Sequence, residues 1–301
     1  PLRPAQAAAR ATAAVNSDFP PWTIWSMNTS AWSTCQDLLQ EEGNPYVQGT
    51  VILVQETKLR SDEEIQSARS FLQSVGFNAV FGPALLTENE GLSGGVCVAV
   101  RANSDIGVAP LLLPVPGHLR HRAIGVAIDA PGIVAHVLIS MYSVPRIGVS
   151  GQNVELLGWA ASVQDTHQRP LLVGGDFNYT PHKLAITDFS SRSGLRAAAP
   201  KEDTHHTKAS SSVLDWFLVA EPFTRLIDSV TTHTAALLRP HRPVQLVIQL
   251  SQHTLLPVLV TPQKLPREKP FGPSLEVQPW PDLLALTSAL RETLQHAASH
   301  D

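Results

Sequence analysis

The sequence predicts a layered fold built from mixed β-strands and α-helices. Short runs rich in Val and Ile, bounded by Gly, Pro or Asn, alternate with amphipathic stretches from Trp22 to about Leu250. β-branched residues favour strands, and Gly and Pro mark the turns between them. Of the 301 residues, 43% are hydrophobic and 16% are charged, which is enough apolar content for a large core. This alternation is typical of an α/β or α+β architecture.

Eight strands and four helices are predicted from these runs. The strands are expected at Trp22–Met27, Val51–Gln55, Gly95–Val100, Ala123–Ile128, Ile133–Met141, Leu171–Gly174, Val213–Val219 and Val244–Leu250. The helices are expected at Trp32–Glu42, Asp62–Val75, Val154–Thr166 and His182–Ser193. The clearest helix start is Ser61, an N-cap residue followed by three acids that face the positive end of the helix dipole.

Composition excludes several classes of protein. The chain has 22 Lys and Arg against 26 Asp and Glu, a formal charge of −4, which argues against a general nucleic-acid coat but leaves room for a local basic face. No apolar run approaches the ~18 residues that a membrane-spanning helix needs. Cys35 and Cys97 are too few for a disulfide scaffold or a cysteine zinc site and are expected to be reduced thiols.

The two ends of the chain differ from the middle. Residues 1–20 are Ala-rich and are expected to form a flexible tail, with a targeting segment as the alternative. Residues 251–301 are punctuated by Pro and are expected to form a linker with a short helix from Asp282 to about His296. Because the first residue is Pro1 rather than Met, we expect the chain to be a piece of a longer one.

Polar residues follow the predicted strands at their ends. Glu56 comes directly after one buried strand, and Asp176 and Asn178 end another. Side chains at positions i and i+2 of an extended segment point the same way, so Asp176 and Asn178 are predicted to address one substrate atom. Asn28 follows the first strand and Tyr142 follows Ile133–Met141. Each of these residues on its own has an ordinary structural interpretation as a turn, cap or half-buried ring.

Two further residues favour a functional site over these structural interpretations. Asp215 interrupts the apolar run Val213–Val219, where an unpaired carboxylate would be costly, so it needs a partner. His241 lies just before the last strand. Polar residues of these types follow one another along the whole alternating fold, in the order Asn, Glu, Tyr, Asp-x-Asn, Asp and His. Unrelated structural roles explain such a series poorly.

On these residues the chain resembles the endonuclease/exonuclease/phosphatase superfamily, which has the deoxyribonuclease-I-like fold. In style it is most similar to apurinic/apyrimidinic endonucleases and to the endonuclease domains of non-LTR retrotransposons. The resemblance covers residues 21–250 and implies a four-layered sandwich, two mixed β-sheets packed face to face with helices outside. The motifs that carry it are Met27-Asn28, Gln55-Glu56-Thr57, Gly94-Gly95-Val96, Tyr142-x-x-Pro145, Gly174-Gly175-Asp176-Phe177-Asn178, Ser212-Val213-Leu214-Asp215-Trp216 and His241-Arg242-Pro243-Val244.

The resemblance implies a metal-dependent attack of water on a phosphodiester. Glu56 would ligate a divalent ion, with Asn28 helping to hold the ion or the phosphate. Mg²⁺ suits an oxygen-rich site with few protein carboxylates, and Mn²⁺ is the expected substitute. Asp176 would orient or deprotonate the attacking water, and Asn178 would hold a phosphate oxygen.

The remaining roles concern the phosphate. His241 would donate a hydrogen bond as negative charge builds, and Asp215 would fix its tautomer and orientation. Tyr142 would contact the phosphate or stabilise the leaving oxygen. The overall chemistry implied is in-line displacement with the metal cancelling transition-state charge.

The chain departs from the family pattern at two acids. The family normally has Ser-Asp-His before the final strand, whereas this chain has Arg239-Pro240-His241. The family's second early acid, just after the position of Asn28, is also lacking, since Thr, Ser and Ala follow at positions 29 to 31. These losses predict weakened or lost activity, although the retained residues favour an active enzyme.

The expected function is a Mg²⁺-dependent endonuclease of the retroelement type. Arg239 and Arg242 are predicted to bind the substrate, and Arg192, Arg196, Lys201 and Lys208 either extend a phosphate track or are scattered surface charges. We expect a nucleic-acid partner, DNA, no membrane, and a nuclear location. A retroelement protein would carry a reverse transcriptase in its longer chain. The alternatives are a phosphatase or phosphodiesterase acting on a small molecule or lipid headgroup, and a catalytically inactive scaffold that binds nucleic acid or protein.

Overall fold

A computed structural model describes residues 20–102, 105–130, 133–236 and 238–249. Six α-helices lie in this part of the chain: α1 (Trp32–Gln40), α2 (Asp62–Ser74), α3 (Gln152–His167), α4 (Pro181–Ala185), α5 (Phe189–Ser193) and α6 (Glu221–Thr224). None of the helices in these ranges is long and apolar enough to cross a bilayer. The expected tail, linker and C-terminal helix lie outside the described residues.

Sixteen strands lie in the same ranges. They are β1 (Trp22–Asn28), β2 (Val51–Gln55), β3 (Phe77–Gly82), β4 (Leu85–Leu86), β5 (Leu92–Ser93), β6 (Val96–Arg101), β7 (Gly107–Pro110), β8 (Ala123–Asp129), β9 (His136–Tyr142), β10 (Leu171–Asp176), β11 (Leu195–Ala198), β12 (His205–His206), β13 (Ser211–Ser212), β14 (Asp215–Ala220), β15 (Ile227–Thr232) and β16 (Val244–Ile248).

Two six-stranded mixed sheets dominate the described residues. The first has the order β15-β16-β1-β2-β6-β3 and the second β11-β14-β10-β9-β8-β7. β1 is parallel to β2 and β9 is parallel to β10, while their other neighbours are antiparallel. The predicted α/β sandwich of two mixed sheets is therefore confirmed.

The strand β2 shows how the layers form. Its side chains alternate between two cores, as the two-residue period of a strand requires. Val51 and Leu53 face the core between the two sheets, and Ile52 and Val54 face the core beneath the helices α1 and α2. A continuous apolar run, rather than an alternating one, is what a strand covered on both faces needs.

The helix α2 confirms the capping prediction. The Ser61 hydroxyl accepts a hydrogen bond from the Glu64 backbone N–H, and the Glu64 carboxylate accepts one from the Ser61 N–H. This reciprocal pair is a capping box, which satisfies two otherwise unpaired donors. The two cysteines, Cys35 and Cys97, are free and buried, and burial raises the pKa of Cys35 to about 12.

One helix prediction is wrong. The expected helix His182–Ser193 is two short helices, α4 and α5, with Thr187 between them. The Thr187 hydroxyl donates to the Leu184 carbonyl and accepts from the Phe189 N–H, so it ends one helix and begins the next. A hydroxyl that competes for backbone groups is a known reason for a helix to stop.

Candidate active site

Seven predicted site residues lie at one edge of the sandwich. The strands β1, β2, β9 and β10 all end there, and β14 and β16 begin there, which brings together Asn28, Glu56, Tyr142, Asp176, Asn178, Asp215 and His241. Asp176 is paired in register with Tyr142 on one side and with Asp215 on the other. The carboxyl ends of strands in an open α/β sheet are the usual place for a ligand.

Asn28 joins the two sheets at this edge. Its side-chain nitrogen donates to Glu56 Oε2 at 3.1 Å and to Asp176 Oδ2 at 2.9 Å. Its oxygen accepts the backbone N–H of Ser30 at 3.0 Å. Because the donor end of the amide faces both acids, the geometry favours a role in holding carboxylates over direct ligation of a metal through the Asn28 oxygen.

Asp176 and Asn178 meet, but not by the predicted route. Asn178 has a φ of 54°, so the segment is not extended there. The Asn178 backbone N–H donates to Asp176 Oδ1 at 2.9 Å, and its amide donates to Asp176 Oδ2 at 3.2 Å and to the Ser143 carbonyl at 2.9 Å. The turn therefore folds the amide back onto the carboxylate and holds it in place.

Asp215 has the partner that its burial requires. It is fully buried, and its Oδ2 lies 2.9 Å from His241 Nδ1. This contact leaves the other ring nitrogen, Nε2, 3.7 Å from Asp176 Oδ2. The pairing fixes the orientation of the imidazole, as predicted for a histidine oriented by a carboxylate. The Oδ1 atom of Asp215 is buried without a hydrogen-bond partner among the described residues.

The charges at this edge shift two pKa values. Burial together with the charge of Asp215 raises the pKa of Asp176 to about 7, against the opposing effects of His241 and Asn28. Burial alone would lower the pKa of His241, but the charge and hydrogen bond of Asp215 outweigh it and raise the pKa to about 9. Between these values Asp176 is a base and His241 is a cation, which suits proton removal from water beside an anion.

Tyr142 is packed beneath a cation that sequence reasoning missed. The guanidinium of Arg122 lies 4.9 Å from the centre of the Tyr142 ring, and both side chains are buried. Burial and the charges of Glu56 and Asp176 raise the pKa of Tyr142, so the hydroxyl stays protonated and acts as a donor. Arg122 lies within an ordinary loop sequence, and no motif singled it out.

Glu56 is the predicted metal ligand, and a lysine is paired with it. Lys58 Nζ lies 2.6 Å from Glu56 Oε1. Burial would raise the pKa of Glu56, but the hydrogen bond and charge of Lys58, with hydrogen bonds from Asn28 and Tyr142, lower it overall. The carboxylate is therefore ionised at neutral pH. Lys58 directly follows the Gln55-Glu56-Thr57 motif, and its place in the sequence was the available signal.

The left-handed region of backbone conformation recurs around the site. Ser30, Glu56, Lys58 and Asn178 have φ values of 57°, 58°, 57° and 54°. Each residue lies just beyond the end of a strand. This conformation costs a residue other than Gly roughly 1 kcal/mol or more, and such strain collects at functional sites. The turns redirect side chains from the sheet into the site.

The predicted substrate-binding arginines are less well placed. Arg239 is exposed, and Arg242 is half-buried and donates its backbone N–H to the Thr204 carbonyl. In the candidate phosphate track, Arg192 is 3.4 Å from Asp188, and Arg196 pairs with Glu221. These two pairs favour the interpretation of that stretch as ordinary surface charge.

The loop before β14 supports the site from the side. The hydroxyl of Thr204 accepts the backbone N–H groups of Leu214 and Asp215, each at 2.9 Å, which anchors the start of β14. His205 lies with its ring centre 4.7 Å from that of His241, whereas His206 Nε2 contacts the Asp203 carbonyl. The two adjacent histidines therefore face different partners, His205 the His241 ring and His206 the Asp203 backbone.

Two places at this edge offer donors for a divalent ion. One is Glu56. The other is the set Asp176, Asp215 and His241, whose ligand atoms lie within 4.8 Å of one another. The buried, unpartnered Oδ1 of Asp215 and the carboxylate of Glu56 are the hard oxygen donors that Mg²⁺ prefers, with water completing the coordination. The residues fit such an ion, on the condition that the Lys58 ammonium moves off Glu56.

Comparison with known proteins identifies the family to which this fold and this edge belong. Residues 18–251 match the family described as the Endonuclease/Exonuclease/phosphatase family, so the chain belongs to it. The family comprises enzymes that hydrolyse phosphate esters. No curated protein sequence matches the chain.

Several solved structures share the fold at low sequence identity. The endonuclease domain of TRAS1, a telomere-specific non-LTR retrotransposon, is 14% identical, with 77% of this chain and 100% of that chain covered and a TM-score of 0.55. The AP endonuclease LMAP from Leishmania major is 13% identical, with 82% and 99% covered and a TM-score of 0.58. The 3'-5' exonuclease NExo from Neisseria meningitidis is 18% identical, with 75% and 99% covered and a TM-score of 0.53.

Proposed function

We propose that this chain is a divalent-metal-dependent nuclease that hydrolyses phosphodiester bonds in DNA, with an endonuclease of the retroelement type as the specific form. The observation that carries the proposal is the buried chain of contacts from Asp215 through His241 to Asp176, which is fixed on its other side by Asn28 and Asn178. A bound divalent ion would neutralise charge on the scissile phosphate.

The residues of the chain would divide the reaction between them. Asp176 accepts a proton from the attacking water, because its raised pKa of about 7 makes it a base near neutral pH. Protonated His241 donates through Nε2 to a phosphate oxygen, and Asp215 keeps the Nδ1 proton in place. Tyr142 contributes a hydroxyl donor from the next strand.

DNA as the substrate is supported by the fold relatives. The structures that share the fold include an AP endonuclease and a retrotransposon endonuclease domain, and the Neisseria enzyme has been solved as a 3' phosphatase bound to product DNA hairpin. We propose a nuclear site of action and, for the retroelement form, a reverse transcriptase in a longer chain.

The test is nicking of supercoiled plasmid with Mg²⁺ and with EDTA. The wild-type protein should convert supercoiled DNA to the relaxed form only with the metal. Asp176→Asn should abolish nicking, because the amide cannot accept the proton. Asp228→Asn is the matched control: Asp228 is exposed, in β15, and the same change there should leave nicking intact.

A second candidate is a catalytically inactive nucleic-acid-binding scaffold. It is favoured by Pro240, which stands directly before His241 where the family pattern has an aspartate, and by the Lys58 ammonium on Glu56. If neither Mg²⁺ nor Mn²⁺ supports nicking while the protein still retards the plasmid, the scaffold replaces the nuclease. If plasmid binding does not depend on salt and the protein instead hydrolyses p-nitrophenyl phosphate, the function is that of a small-molecule phosphatase.

A further inference from the structure

The ion pair between Lys58 and Glu56 is built into the local backbone. The two residues are separated by Thr57, and both have left-handed backbone conformations. The side chains are 27% and 17% exposed, so the 2.6 Å contact between Lys58 Nζ and Glu56 Oε1 is shielded from much of the solvent. The other carboxylate oxygen, Oε2, accepts the Asn28 amide. Both oxygens of the predicted metal ligand are therefore already hydrogen-bonded.

The two positions at which the family pattern has a further acid carry none in this chain. Thr, Ser and Ala follow Asn28 in the sequence, and Pro240 precedes His241. Glu56 is thus the carboxylate that the structure places against the Lys58 ammonium.

A second cation, Arg122, also acts on Glu56. Arg122 is 8% exposed, and its Nε and Nη1 atoms are buried without hydrogen-bond partners among the described residues. Its guanidinium covers the Tyr142 ring and interacts electrostatically with Glu56 and Asp176. A fixed guanidinium of this kind favours anions and disfavours an added cation.

We propose that the Lys58 ammonium is an internal cation that competes with a divalent ion for Glu56. Together with the Arg122 guanidinium, it lets the site bind a phosphate group when no metal is bound. The proposal refines the metal dependence of the proposed nuclease. It rests on that proposed function for the assignment of Glu56 as metal ligand. It predicts that removal of Lys58 has opposite effects on two ligands, tighter binding of a divalent cation and weaker binding of phosphate.

The first experiment measures Mn²⁺ binding by the loss of the free-ion EPR signal. Lys58→Met should bind Mn²⁺ roughly fivefold to tenfold more tightly than the wild type, because a positive charge at contact distance is removed from a partly shielded site. Lys58→Arg keeps the cation and should bind Mn²⁺ like the wild type. Lys183→Met, at an exposed position in α4, is the matched control and should change nothing. Equal or weaker Mn²⁺ binding by Lys58→Met would overturn the proposal.

The second experiment measures binding of inorganic phosphate in EDTA, by the broadening of its ³¹P NMR signal. The wild type and Lys183→Met should bind phosphate, and Lys58→Met should bind it at least fivefold more weakly. Absence of wild-type binding, or equal binding by Lys58→Met, would also overturn the proposal. Neither readout uses DNA cleavage, so a protein that fails to nick plasmid can still show both effects. Thermal unfolding of each variant establishes that it is folded.

Discussion

The two ends of the strands β1 and β9 serve opposite purposes. At the end that carries the candidate active site (the catalytic end), Asn28 and Tyr142 lie among ionised and hydrogen-bonded side chains. At the other end, Trp22 packs edge-on against His136, with ring centres 5.1 Å apart, and His136 packs edge-on against Phe223 at 5.3 Å. These aromatic contacts join the first sheet, the second sheet and α6.

The comparison shows how the fold remains stable although its candidate active site buries ionisable groups. Asp176, Asp215 and His241 are buried ionisable side chains, and burial of a charge opposes folding. The aromatic end contributes apolar burial and ring contacts, which stabilise the same strands. Substitutions at the catalytic end are therefore expected to change chemistry, and substitutions at the aromatic end to change stability.

The largest expected effect is at the catalytic end. Asp215→Asn removes the charge that orients His241 and should lower kcat roughly 10³-fold, in line with the loss of an orienting carboxylate in other enzymes. The free energy of unfolding should change by much less than this catalytic loss implies. Kinetics of nicking and denaturant unfolding of the same preparation measure both. Retained activity would show that His241 does not need Asp215.

The next effect belongs to the aromatic end. Trp22→Ala should lower the free energy of unfolding by about 3–5 kcal/mol, because it leaves a large cavity between the sheets. Nicking per folded molecule should stay within about twofold of the wild type. Trp22→Phe, which keeps a ring, should cost less. A variant that is stable but inactive would mean that the two ends are coupled.

Acid should weaken the aromatic end through His136. Burial lowers the pKa of His136 from 6.5 to about 4, so the folded state binds its proton less readily than the unfolded chain. The stability that this difference supplies is fully present above pH 6.5 and is lost as the pH falls toward 4, by up to about 3 kcal/mol. His136→Phe should flatten this part of the pH dependence, as urea unfolding at a series of pH values would show. An unchanged slope would assign the acid sensitivity to other groups.

The smallest expected effect is the pH dependence of activity, which depends on the catalytic end. The proposed mechanism needs Asp176 ionised and His241 protonated, so kcat/KM should be bell-shaped, with limbs near pH 7 and pH 9. At pH 6 the rate should be about tenfold lower than at pH 8. Asp215→Asn should move the alkaline limb to lower pH, because His241 loses the charge that raises its pKa. A flat profile between pH 6 and 8 would rule out Asp176 as the base.

The sequence predicted the inner strands of the two six-stranded sheets and did not predict their edge strands. The four strands of four or more residues that it did not predict, β3, β7, β11 and β15, are the outer strands of the two six-stranded sheets. β7 is exposed along its whole length, and β15 has no buried residue. An edge strand is held by hydrogen bonds to one neighbour and needs no continuous apolar run, so hydrophobic pattern alone does not reveal it.

The site was predictable where its residues lie at strand ends and not where they come from loops. Asp176, Asp215 and the other acids follow or begin apolar strands, and the shared edge of the sheets brings them together. Arg122 and Thr204 reach the site from loops whose path depends on tertiary packing. The left-handed turn at Asn178 also carries no sequence signal of its own, since Asn adopts this conformation in only some contexts.

The side-by-side register of Tyr142, Asp176 and Asp215 has a consequence for insertions and deletions. A single residue added within β9, β10 or β14 would reverse the faces of the side chains on one side of the insertion relative to those on the other side. One of the three groups would then point away from its neighbours, although the composition of the strand would hardly change. Length variation in this lineage should therefore be tolerated in the connecting loops and excluded from these three strands.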